Sequence, residues 1–109
     1  SSATYMKDNI HKVTKESIPI FETIFDNEFL LQKISYELQS AVTAKELDWI
    51  QDTQILAIKF TKNLEKIKQS TSKNELINIK RVFDNYYKEA TLLSRELILW
   101  CPTNLVFKK

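Results

Sequence analysis

The sequence has no glycine, only two prolines and a single cysteine in 109 residues, and each shortage removes a class of structure. Glycine supplies the positive-φ positions of hairpin turns and phosphate-cradling loops, so its absence argues for long helices joined by short connections. Pro19 and Pro102 stand near the ends, leaving the middle of the chain free of helix breakers. Cys101 has no partner within the chain, which excludes a disulfide-built scaffold and leaves the compartment open. No run of about 18 apolar residues is present to span a bilayer, and the start lacks the apolar core and cleavage pattern of a signal peptide. The chain as given therefore reads as soluble.

Catalytic and metal chemistry is equally short of material. With one histidine, His11, a di-iron bundle cannot be assembled, and no serine–histidine–acid set, cysteine–histidine pair or zinc cluster is available. No enzyme activity, metal or cofactor is expected. The charge balance, 16 basic against 14 acidic residues, gives +2 with the signs interleaved, so nucleic acid is a poor partner.

What is present is helical periodicity in a chain sized for one core. Apolar residues recur at alternating steps of three and four in three successive stripes. The first runs Met6, Ile10, Val13, Ser17, Ile20, Ile24, Asn27, Leu31, Ile34, Leu38, Ala41, with Ser17 and Asn27 as its polar interruptions. The second runs Ile50, Thr53, Ala57, Phe60, Leu64, Ile67, and the third Leu76, Ile79, Phe83, Tyr86, Ala90, Leu93, Leu97, Trp100. At 43% hydrophobic content, an unbroken third stripe arises by chance on the order of once in a thousand. Thr43 with Glu46 and Ser72 with Glu75 read as capping boxes. The spacing predicts an all-α, antiparallel up-down bundle of three long helices, near 4–42 with a kink at Pro19, 44–69 and 73–100. The first helix overhangs the other two, with residues before Ser17 beyond their ends. Val82, Tyr87 and Leu92 lie outside the third seam, and Leu47, Ile55, Leu56 and Ile58 outside the second. This surplus calls for a fourth helix or a partner chain.

The run "ESIPIFETIFDNEFLLQKISYELQSAV" with "TAKELDWIQDTQILAIKFTKNLEKI", followed by "VFDNYYKEATLLSREL", resembles the extracytoplasmic helical-bundle sensor domains of bacterial membrane receptors. These belong to methyl-accepting chemotaxis proteins, sensor histidine kinases and diguanylate cyclases, in the four-helix-bundle type. The resemblance spans roughly 15–98 and rests on Ile18-Pro19, Phe83, Tyr86, Tyr87 and Ala90. It implies a periplasmic domain between two transmembrane helices of an inner-membrane protein, a homodimer, and a small-molecule or periplasmic protein signal passed inward by helix displacement. The family pattern places a fourth helix after the third, where this sequence has "CPTNLVFKK". A cytoplasmic helical protein–protein interaction module is the alternative reading.

Candidate site residues follow from the seam. A buried polar side chain costs about 1–3 kcal/mol unless hydrogen-bonded, so Ser17 and Asn27 need partners. Counting fifteen residues from the turn near 42 puts Asn27 level with 57–60 on the second helix, and counting fifteen back from Trp100, set level with that turn, puts it level with Tyr86 on the third, predicting an Asn27–Tyr86 contact that serves either as a register pin or as part of a ligand site. Tyr86 enters the seam and Tyr87 flanks it. Trp49 and Trp100 are expected to meet at the turn-side end of the bundle, as a plug or as a pocket wall. Arg81, Lys88 and Arg95 recur every seven residues and read as a solvated stripe rather than an anion grip.

Overall fold

The computed structural model describes residues 2–12 and 18–100, and among these every regular element is a helix. In chain order they are α1 (Ser2–Lys12), α2 (Ile18–Ala44), α3 (Asp48–Asp52), α4 (Gln54–Glu65) and α5 (Lys73–Leu99). The long helices α2, α4 and α5 pack together with the short α3. The expected single first helix is described as α1 and α2. Residues 13–17, including Ser17, fall outside the described ones, and Pro19 lies in the first turn of α2, where a missing N–H is tolerated. The chain from Cys101 onward and the His11 side chain are also outside.

Side-chain pairs give the direction of packing. Passing along α4 from Thr53 through Phe60 to Glu65, the partners on α5 run back from Tyr87 through Phe83 to Lys80, so the two helices are antiparallel. The helix α2 is antiparallel to α4 in turn, so α2 and α5 run the same way with a shared seam. Ser72 starts α5 as the sequence predicts: its backbone is extended (φ −63°, ψ 149°) and its Oγ accepts the Glu75 N–H at 3.1 Å.

The other expected capping box, Thr43 with Glu46, is not formed. Thr43 Oγ1 donates to Gln39 O within α2, while the Glu46 N–H donates to Ala41 O and the Lys45 N–H to Val42 O. These two bonds close α2 with a Schellman turn, which needs a left-handed residue, and Lys45 takes that role at φ 57°. A chain without glycine has put lysine where a side chain costs about 1 kcal/mol or more. Lys45→Gly is therefore expected to stabilise the domain by about 1 kcal/mol, a rise in Tm of about 4–8 °C on helical circular dichroism.

The second predicted helix is present as α3 and α4, starting at Asp48 rather than 44 and interrupted at Thr53. The break is small, since Thr53 keeps helical angles (φ −72°, ψ −14°). Its Oγ1 donates back to Ile50 O and is also bonded to the Tyr87 hydroxyl, and a hydroxyl bonded to the preceding turn locally competes with the helix ladder. After Glu65 the chain winds on through 66–70 with i to i−3 bonds, keeping Ile67 buried near the expected end at 69.

The second stripe is core throughout: Ile50, Thr53, Ala57, Phe60, Leu64 and Ile67 are all buried. On α2 the core takes Thr23, Asn27, Leu30, Ile34, Leu38 and Ala41, leaving Ile24 exposed. The third stripe divides. Leu76 and Phe83 are buried and Ala90 is half-buried, but Ile79, Tyr86, Leu93, Leu97 and Trp100 are exposed, while Tyr87, Ser94 and Ile98 turn inward. The helix α5 is thus rotated so that one edge of its apolar arc packs on α2 and α4, and the other edge faces solvent.

Candidate functional site

Two features stand together at the middle of the bundle, a buried amide bridge and an open groove above it. Asn27 Nδ2 donates to Phe60 O at 3.2 Å, and Asn27 Oδ1 accepts from Asn63 Nδ2 at 2.9 Å. Both asparagines are buried, and no buried side-chain polar atom among the described residues lacks a partner. The level on α4 is the one the sequence predicts, but the partner is Asn63 and not Tyr86. The helical spacing of Asn63 from Phe60 places both on the buried side of α4, a signal missed because Asn63 lies just off the apolar stripe.

Tyr86 sits higher on the bundle. It shares an opening with Ser35, Leu38, Val42 and Leu97, whereas Ile79 shares one with Asn27 and Leu31. The helix α5 is therefore set about two turns further along than an alignment of Trp100 with the first turn gives. The tyrosines also exchange roles. Tyr87 is half-buried, its hydroxyl 2.8 Å from Thr53 Oγ1, and its ring stacks on Phe83 at 6.1 Å between centroids. Tyr86 is 39% exposed at the groove edge, tilted against Phe83 at 6.4 Å. Phe83 and Phe60 stack at 4.0 Å and 15°, joining α4 to α5 beneath the groove.

The groove lies between α2 and α5. Its central compartment, about 670 Å³, is walled chiefly by carbon from Leu31, Phe60, Ile79, Val82, Phe83 and Tyr86. A compartment of about 270 Å³ adjoins it at Thr23, Ile24 and Ile79, and one of about 460 Å³ continues past Val42, Leu93 and Leu97. Such a surface can bind apolar matter along its length.

The tryptophans do not meet. Trp49 borders a shallow depression with Tyr36, Glu37, Ser40 and Asp52 on a different side of α2, and Trp100 caps α5 while half exposed. The two-turn offset of α5 carries Trp100 past the corner where Trp49 sits. Arg81, Lys88 and Arg95 are exposed as a solvated stripe requires, with Arg81 Nη2 donating to Asn78 Oδ1 at 2.7 Å.

Among the described residues the ion pair between helices is Lys80 with Glu65, across α5 and α4. The hydrogen bond from Lys80, then its charge, holds the Glu65 carboxyl below its ordinary pKa. A lowered folded-state pKa means that the pair contributes above the ordinary carboxylate range and is lost as pH falls through the depressed value. Lys80→Gln is expected to be slightly less stable than the parent at pH 7, with the two converging in acid, as read by urea titration at each pH.

No group of three or more histidine, cysteine or acidic side chains among the described residues is placed to hold a metal, and no described helix is long and apolar enough to cross a membrane. Comparison with protein-family models, curated proteins and solved structures yields no match to this chain.

Proposed function

We propose that this chain is the signal-sensing domain of a membrane-bound bacterial receptor, lying on the periplasmic side of the inner membrane and acting without catalysis. The observation that carries the reading is the open α2–α5 groove, seated directly over the Asn27–Asn63–Phe60 bridge. Matter entering the groove pushes on α2 and α5 together. The amide bridge ties α2 to α4 at one level, so the displacement is resolved into a shift of α5 against that pair. A signal that prefers one offset over the other biases the two arrangements by its differential affinity, and α2 carries the change toward the membrane.

The homodimer expected of such a receptor has a separate face to use. Phe21, Phe25 and Phe29 are 57%, 63% and 63% exposed, and with Tyr36 they form an aromatic stripe on the side of α2 opposite the core. Four large rings so exposed offer on the order of 400 Å² per copy, about half of the roughly 800 Å² per partner that a standard interface uses. Phe25→Glu is the variant that separates dimer from monomer in light scattering.

The receptor reading is tested by topology. A phosphatase reporter that is active only outside the cytoplasm, inserted after residue 100 in the full-length protein, is expected to be active. The reading frame on either side is expected to encode apolar runs of about 20 residues. A silent reporter, or the absence of those runs, overturns the receptor and leaves the cytoplasmic interaction module.

A further inference from the structure

We propose that the α2–α5 groove docks an amphipathic helix from a different polypeptide, apolar along one stripe and rich in lysine or arginine on its flanks. The proposal names the partner of the sensing site just described and rests on that reading for its biological setting, but its physical basis is separate. The length of the groove suits a helix. The groove extends from Ile24 to Val42 along α2, about 27 Å at 1.5 Å per residue. A compact metabolite would occupy one compartment, whereas a helix of about 18 residues fills all three. On its wall, Ile79, Val82, Leu93 and Leu97 present carbon at helical intervals, the pattern that receives anchors spaced three and four apart.

The rim of the groove carries charge of one sign. On α5, Val82, Glu89 and Glu96 recur every seven residues and share one flank of the groove, and Glu75 lies on the same side at the start of the helix. On α2, Glu28 borders the opening directly. All four glutamates are exposed. The basic side chains of these helices, Lys33, Lys73, Lys80, Arg81, Lys88 and Arg95, fall more than about 100° around from the groove by helical position. The rim is therefore acidic around an apolar floor. A second copy offering the same face would set glutamate against glutamate, which disfavours that occupant, and a helix flanked by lysine or arginine meets opposite charge on both sides.

The probe is a fluorescein-labelled 18-residue peptide with leucines at alternating three- and four-residue spacing and lysines on the flanks, compared with a copy carrying glutamates on the flanks. Anisotropy at low salt is expected to show the lysine peptide binding at least tenfold tighter, with the gap narrowing in 0.5 M salt as screening grows. Val82→Asp weakens both peptides. Glu89→Lys with Glu96→Lys, two exposed changes checked for intact helicity, inverts the preference. Equal binding of the two peptides, tighter binding of the glutamate peptide, or no binding of either at 100 µM overturns the proposal. The outcome is independent of the topology test: a lysine peptide that binds a domain whose reporter is silent keeps the docking groove and removes the receptor.

Discussion

Phe83→Ala is expected to lower stability by about 3–5 kcal/mol, the range for emptying a buried phenylalanine site. A domain of this size has about 5–15 kcal/mol in total, so the variant lies near the edge of folding at 37 °C. The size of the effect comes from position. The Phe83 ring is buried, stacks on Phe60 at 4.0 Å, and supports Tyr86 on one side and Tyr87 on the other. It also walls two openings, on the α2 side and on the opposite side of the α4–α5 interface, so its loss connects them. Urea titration at 222 nm measures the loss directly, and Phe83→Leu, which refills most of the space, is expected to cost about 1–1.5 kcal/mol. A midpoint shift for alanine no larger than for leucine would show that α4 and α5 close over the gap and that the stack is not what joins them.

The amide bridge is expected to give the second large effect. Asn27→Leu leaves the Asn63 amide buried without its acceptor, and Asn63→Leu strands the Asn27 carbonyl oxygen. Each single change is expected to cost about 2–3 kcal/mol, the penalty of an unmet polar group at full burial plus lost packing. The double change removes both partners, and the Phe60 carbonyl that Asn27 also engages lies in a helix ladder with its own acceptor role. The pair together is therefore expected to cost under about 1 kcal/mol, so the two losses do not add. Strict additivity in thermal or urea unfolding would mean the asparagines act alone. A stable double variant that samples several helix offsets, seen as broadened amide resonances, would identify the bridge as a register device.

The parts that could be read from residues and the parts that could not have distinct physical causes. The second stripe was legible in every position because α3–α4 has neighbours on both sides, and a helix flanked in this way buries the whole seam that period 3.5 marks. The third stripe was legible only in its existence. A wide apolar arc on α5 is compatible with several rotations, and the sequence carries no term that selects the one burying Tyr87 and Ser94 rather than Tyr86 and Leu93. The Asn27 level on α4 came out correctly because the turn between the two helices anchors the count. Its expected partner on α5 did not, because that count started from Trp100 and the parallel helix is offset by about two turns. Thr43 illustrates a local ambiguity: a threonine followed three residues later by glutamate can open a helix, but here the hydroxyl stays bonded within α2 and a lysine supplies the left-handed stop.

The antiparallel pairing of α4 with α5 also bears on how the chain finds its fold. The Glu65–Lys80 pair closes a loop of 15 residues, and the Thr53–Tyr87 bond at the far end of the same hairpin closes 34. Because closure entropy grows only as the logarithm of loop length, each doubling costs about 0.6 kcal/mol more. Once the short segment around 66–72 has brought the first pair together, the Phe60–Phe83 stack and then the tyrosine bond zip up the hairpin at little extra entropic cost. Such nesting of near contacts inside farther ones is the topology of a low-contact-order, fast-folding chain.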